Sequence, residues 1–309
     1  HQGKFIASRS KESILKEVDE VTRMPDFKGY LSDIGGPSAN MYQMKGKIQS
    51  ICDACVAPSC IHPVICHNLD TSHKPMTELY QAVDSHPKVK KSFIGSGIRY
   101  DMLVPEYNKQ ADPKELEDYT EEVLTKHVSG RLKVAPEHTS DPVLRLMRKP
   151  SFSYFHQFKK TFDKINLKKK LNLQLIPYFI SNHPACEVED MANLAAETKD
   201  MGFKLEQVQG FTPTPMTVAT VIYYSGYHPY TLKKEYVPKT KKEKDEQHRF
   251  FFWYKKENRK WIRNTLGKVN RNDLVQKLLG QEFTDRQRSG GKSKSRPPKG
   301  YRSVLKKNR

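Results

Sequence analysis

The sequence predicts an α/β protein built on a parallel sheet, and three observations carry that prediction. Short apolar runs closed by Gly, Pro or Asn alternate five times with helical stretches of about ten to fifteen residues. Strands separated by helices of that length return in the same direction through right-handed crossovers. Polar or Gly-rich residues follow nearly every strand, and in parallel barrels that carboxyl end is where sites are built. The alternation alone suits a doubly wound sheet or a full or partial barrel; the strand-end residues favour the barrel.

The elements follow in order. Ser10 is placed to cap a helix, with Ile14, Leu15, Val18 and Val21 on one face, and that helix ends near Pro25. Residues 27–34 alternate and are closed by Gly35-Gly36-Pro37, which reads as a strand ending in a tight turn. Downstream the same rhythm gives a helix over 76–83, a strand over 89–98, a helix over 114–127 and a strand over 131–135. It continues with helices over 142–147 and 154–165, a strand over 171–180, a helix over 187–201 and a strand over 205–211. The strand ends read Gly97-Ile98-Arg99-Tyr100-Asp101, Pro136-Glu137-His138, Ser181-Asn182-His183 and Thr212-Pro213-Thr214. A sixth strand ahead of residue 1 would complete a six-stranded set.

After Tyr230 the texture changes. Residues 239–256 are charged and then densely aromatic, and 263–280 suit one more helix with Leu266, Val269 and Leu274 facing inward. From Gln281 onward Ser, Gly, Lys, Arg and Pro dominate, which predicts disorder. Three regions result: the partial barrel over 1–231, a basic aromatic-rich subdomain over 232–280 and a basic tail over 281–309.

Charge divides along the same line. The chain carries 54 Lys and Arg against 35 Asp and Glu, and residues 232–309 hold 25 against 8, leaving 29 against 27 for the rest. Such an appendage attracts RNA, DNA or an anionic surface, or merely solvates the chain. No apolar run of about 18 residues and no charged-then-apolar leader occurs, so a membrane span and a signal peptide are both unsupported, and a cytoplasmic protein is expected. The chain opens at His1 without an initiator Met, in a loop-like stretch, and is expected to be a fragment.

Four of the five cysteines lie in one loop as Cys52-x2-Cys55-x4-Cys60-x5-Cys66. Thiols gathered this closely in a reducing compartment point to a soft metal or an iron–sulfur cluster before disulfides. His62 and His67 are candidate substitutes for one ligand. The spacing matches neither a zinc finger nor a ferredoxin run, so the identity of the metal stays open. Cys186 stands alone and reads as an ordinary packed thiol.

The strand-end motifs, in their order, resemble the radical S-adenosylmethionine (SAM) superfamily, and its YgiQ-like branch in particular. His1 to Ile14 resembles the segment that directly follows that superfamily's CxxxCxxC loop, which is absent from these residues. Asp33-Ile34-Gly35-Gly36-Pro37 is similar to the second-strand "GGE" element, with Pro37 in the acidic position. The run from Lys133 through Glu137 to Lys149 resembles the fourth-strand segment, Leu175 to Met191 the fifth, and Phe211 to Thr220 the end of the sixth. The fold this resemblance implies is a partial parallel (β/α)6 barrel lacking its first strand.

The resemblance also implies a chemistry. In that superfamily a [4Fe-4S] cluster, fed by an electron donor, reduces bound SAM and yields a 5′-deoxyadenosyl radical that takes hydrogen from a substrate, here unknown. Gly35 and Gly36, with Pro37, would let backbone carbonyls approach the methionyl ammonium. Arg99 would meet the SAM carboxylate and Glu137 the ribose hydroxyls. Without the CxxxCxxC loop the chain alone is expected to be inactive, and the four-cysteine loop would hold an auxiliary cluster or zinc. Tyr100 and Tyr178 are candidate radical relays by position only. The competing reading is a metal-stapled nucleic-acid-binding protein, stacking bases on Phe250 to Trp253 and Trp261 beside the basic residues. The same aromatic run also reads as the buried seam of the appended region, which is the favoured reading.

Overall fold

The computed structural model describes residues 7–35 and 39–280. Gly36, Pro37 and the tail over 281–309, where disorder is expected, lie outside the described residues.

The fold is mixed α/β with parallel sheets. β1 (Tyr30–Leu31) pairs with β2 (Lys91–Ser92), and β3 (Arg131–Glu137), β4 (Gln174–Ser181) and β5 (Gln207–Gly210) form a second sheet in that order, all parallel. A parallel bridge between Ile98 and Val134, with the Ile98 amide donating to the Lys133 carbonyl at 3.3 Å, links the two. Among the described strands, sequential ones are thus neighbours throughout.

The first two strands are much shorter than the 27–34 and 89–98 expected. Past Leu31 and Ser92 the chains stay linked through Ile34 N to Phe93 O at 2.9 Å, but Asp33 inserts its carboxylate and takes the Gly95 amide at 3.1 Å. A side chain that captures ladder donors ends the regular pairing. β3 runs beyond the expected Ala135 to Glu137, with an irregular register after Val134.

Helices form where caps and apolar spacing coincide. α1 (Lys11–Val21) starts at Ser10, whose hydroxyl accepts from Ser13 N at 3.2 Å. α2 (Gln49–Asp53) is one short turn in the cysteine loop, and α3 (Lys74–Asp84) buries Met76, Leu79, Tyr80 and Val83. α4 (Pro113–Glu122) is capped by Asp112 and widens into a π-turn over Val123–His127. After the short α5 (Asp141–Leu146), α6 (Ser153–Lys168) presents Phe155, Phe158, Phe162 and Ile165 on one face. α7 (Val188–Asp200) opens with a capping box between Glu187 and Asp190. No helix among the described residues is long and apolar enough to cross a membrane.

The C-terminal region continues the same hydrophobic core. α8 (Val218–Ser225) and α9 (Lys241–Arg249) were not anticipated; α9 is fixed by a Thr240–Glu243 capping box within a stretch whose charge hides it. The Phe250–Phe252 turn follows, and Phe250 and Phe251 are 0% exposed. The single helix expected over 263–280 is instead two, α10 (Lys256–Lys268) and α11 (Asn272–Leu279). The break is at Asn270, left-handed at φ 58°, and Val269, expected inward, is 51% exposed because the chain reverses there. α11 and the Phe250–Phe252 turn pack on α7, so this region shares one core with the strands.

Candidate ligand site at the strand ends

The second sheet has one covered face and one open face. Alternation places Leu132, Val134, Leu175 and Phe179 in the core and leaves Lys133, Ile176, Tyr178 and Ile180 less buried on the other side. There the Tyr178 hydroxyl bonds the Gln209 side chain of β5. At the strand ends the backbone turns left-handed three times, at Gly97 (φ 93°), Glu137 (φ 68°) and Asn182 (φ 64°). Glycine is required at the first, since a Cβ there would lie 2.6 Å from the Lys133 carbonyl oxygen. Asn tolerates this conformation; for Glu it costs about 1–2 kcal/mol, and such strain concentrates at functional positions.

Arg99 follows the bridge from Ile98 to β3 and Glu137 ends β3, and each has an ionic partner of its own. Asn40, which follows the Gly35 turn, clamps Arg99 by accepting from its amide at 2.8 Å and donating to its carbonyl at 2.9 Å. The Arg99 side chain, 8% exposed, is forked onto Asp101, with Nε to Oδ1 at 3.1 Å and a second, shorter contact to Oδ2. Burial opposes the Asp101 charge, but the guanidinium outweighs it and holds the carboxyl below its usual range. Glu137 turns to Lys149, its Oε1 3.3 Å from the ammonium. Its other oxygen, Oε2, is buried with no hydrogen-bond partner among the described residues, as are Ser181 Oγ and Asn182 Oδ1. Tyr100 is packed edge-on against Phe155, and burial raises its phenol well above the usual range. Of the two tyrosines singled out, Tyr178 is the one on the open face.

Behind the end of β4 lies a buried polar cluster that the sequence did not disclose. Cys186 Sγ is 3.4 Å from His138 Nε2, and His183 and Gln247 are buried beside them. Burial lowers His138 to about 3 and His183 to about 4, so both rings are neutral, and burial raises the Cys186 thiol. Gln247 of α9 accepts from Asn182 N at 2.7 Å and donates to the Cys186 carbonyl. Sequence reasoning passed over Asn40, Asp101, Lys149 and Gln247. Asp101 was visible two residues from Arg99, whereas nothing in the charged run of α9 marks Gln247.

Cys52, Cys55, Cys60 and Cys66 border one cavity of ≈ 100 Å³ together with Met44, Gly46, Asn68 and Leu69. All four are half-buried thiols, and neither His62 nor His67 contributes to the lining. Among the described residues no three His, Cys, Asp or Glu side chains are grouped so as to hold a single metal ion. Cys186, by contrast, is fully buried in the core, as an ordinary packed thiol would be.

Comparison with known proteins adds the following. A family model described as a domain of unknown function, DUF3362, matches residues 206–295, from β5 through the C-terminal helices. A UPF0313 protein of Bacteroides thetaiotaomicron is 61% identical over 281 residues, covering 91% of this chain and 45% of that protein. One from Porphyromonas gingivalis is 58% identical over 286 residues, covering 93% and 45%. A more distant one, from Methanosarcina acetivorans, is 42% identical over 275 residues, covering 89% and 36%. The chain therefore spans less than half the length of these relatives. The homologues of this chain are UPF0313 proteins, the YgiQ-like family.

Proposed function

We propose that this chain forms most of a radical SAM-type barrel and binds S-adenosylmethionine across the carboxyl ends of β2, β3 and β4. The observation that carries the reading is Glu137: a strained, left-handed strand-end residue whose Oε2 is buried without a partner while Lys149 holds Oε1. A carboxylate oxygen left unsatisfied costs free energy that a bound donor returns. Asn182 Oδ1, at the end of the next strand, adds a second such acceptor.

These residues fit the ligand. Glu137 and Asn182 would accept from ribose hydroxyls and from the ammonium, and the Gly35 turn would supply carbonyls, with Gly36 and Pro37 outside the described residues. Arg99, already forked onto Asp101 and clamped by Asn40, is assigned a bracing role: it fixes the loop after β2. A [4Fe-4S] cluster bound by the whole protein would supply the electron that cleaves SAM. No CxxxCxxC triad occurs in these 309 residues, so this chain binds and orients SAM without cleaving it. The nucleic-acid alternative loses part of its stacking platform, because Phe250 and Phe251 are buried.

The test is equilibrium dialysis of SAM against the chain and its Glu137→Gln variant. Binding by the wild type and a roughly tenfold loss in the variant are expected, since a charge-assisted acceptor becomes a neutral one. Absence of SAM binding, or equal binding by both, would overturn the reading.

A further inference from the structure

The loop that carries the four cysteines has only a small apolar cluster of its own. Between β1 and α3 the described regular structure is α2 and a single turn over Ala39–Met41. Its buried apolar cluster consists of Met41, Met44, Leu69 and Met102, with Cys60 and Cys66 packed at the edge. Loops this long with so little structure of their own are uncommon in compact domains unless they serve a function. Cross-linking through a metal centre is one way such a segment is fixed.

The cavity is built for sulfur ligation. Its lining holds four thiols and no carboxylate or imidazole, which suits thiophilic metals and does not suit magnesium or calcium. Gly46 leaves room for one ligand: a Cβ there would stand 2.2 Å from Cys52 Sγ. Asn68, itself buried, aims an N–H at the same sulfur at 3.3 Å. That side chain cannot turn away, because its Nδ2 also donates to the Ile48 carbonyl and its Oδ1 accepts from the Ile48 amide, each at 3.0 Å. A fixed N–H donor also suits a metal-bound sulfur, which accepts such outer hydrogen bonds. The second half of the loop is pinned from outside by Gln110, whose amide donates to the Cys66 carbonyl at 2.8 Å.

We propose that this cavity takes an iron–sulfur cluster ligated by Cys52, Cys55, Cys60 and Cys66. Four thiolates on one zinc ion stand about 3.8 Å apart, from Zn–S bonds of about 2.3 Å. Here all four thiols line one cavity of ≈ 100 Å³, and among the described residues no three are grouped for a single ion; a cluster, whose irons each take one thiolate, does not need them to converge on one point. Assembly of a [4Fe-4S]2+ core takes two ferrous ions, two ferric ions and four sulfides from solution, so no electron is gained or lost. Each cysteine forms one S–Fe bond and loses its thiol proton to solvent. This site does not rest on the SAM reading: the ligands, the cavity and the assay are all separate.

The experiment is anaerobic incubation of the 309-residue chain with ferrous and ferric iron and sulfide, followed by desalting and measurement of bound iron, acid-labile sulfide and visible charge-transfer absorption. The wild type and Cys186→Ser are expected to retain iron and sulfide in equal amounts, about four of each per chain for a cubane. Cys60→Ser and Cys66→Ser are expected to lose most of both. Asn68→Ala keeps all four ligands and is expected to hold the cluster at a lower reduction potential, having lost the N–H donor to Cys52. This variant keeps the proposal testable even if the serine variants fold poorly. Retention of zinc alone, no retention of iron and sulfide, equal retention by Cys60→Ser, or an unchanged potential in Asn68→Ala would each overturn the assignment.

Discussion

Gln247 is the point at which the C-terminal helices reach the strand-end site, and replacing it with Leu should cost far more than a surface substitution. The side chain is 0% exposed and accepts from Asn182 N at 2.7 Å while donating to the Cys186 carbonyl. Leucine fills a similar volume but leaves two buried backbone groups unsatisfied. At about 1–3 kcal/mol for each such group, the expected loss is roughly 2–6 kcal/mol, a large part of a domain's usual 5–15 kcal/mol. In urea, with a slope near 3 kcal/mol per molar, the midpoint should fall by about 1 M. Gln247→Glu supplies the sign of the missing donor. Its Oε1 still accepts from Asn182, but an ionised carboxylate would face the Cys186 carbonyl, so burial raises its folded pKa. A raised folded pKa gives stability that is present below the unfolded value and lost as pH rises, so this variant's deficit against wild type should shrink on acidification. If Gln247→Leu unfolds within about 0.5 kcal/mol of wild type, the end of β4 does not depend on α9 and the reasoning fails.

Two further outcomes are expected. Gly97→Ala should destabilise by roughly 2–4 kcal/mol, because φ is 93° and the new Cβ would lie 2.6 Å from the Lys133 carbonyl that joins the two sheets. Gly130→Ala, at φ 99° with nothing within 4 Å, should cost only the conformational strain of about 1 kcal/mol; equal losses on denaturation would refute the close-approach argument. The pH dependence follows from three buried histidines, His138 lowered to about 3 and His73 and His183 to about 4, all chiefly by burial. The unfolded rings titrate near 6.5, so below that pH the unfolded chain binds protons that the folded chain refuses. Stability should therefore be fully present above about pH 6.5 and fall toward pH 4, at up to about 1.4 kcal/mol per pH unit for each ring. A denaturation midpoint that is flat between those limits would contradict the neutral, buried state of these rings.

The sequence by itself determined most of the elements up to Phe211 and their parallel direction. Ser10 as a cap and the short apolar runs over 131–135 and 171–180 each act within one turn or a few pleats, and each produced the element it predicted. It also placed four thiols in one loop and put Glu137 and Asn182 after consecutive strands. Pairing was decided only by tertiary structure. Asn40 clamps Arg99 from 59 residues away, Gln247 reaches Asn182, and Tyr100 packs against Phe155, because each side chain settles with whatever long-range packing brings within reach. The break at Asn270 and the burial of Gln247 have the same origin. Local periodicity does not encode that α11 must turn back onto α7, or that a glutamine in a charged helix will cap the end of a strand 65 residues earlier. Propensity and pattern act over a few residues, whereas the polar partners at the strand ends come from segments joined only when the core closes.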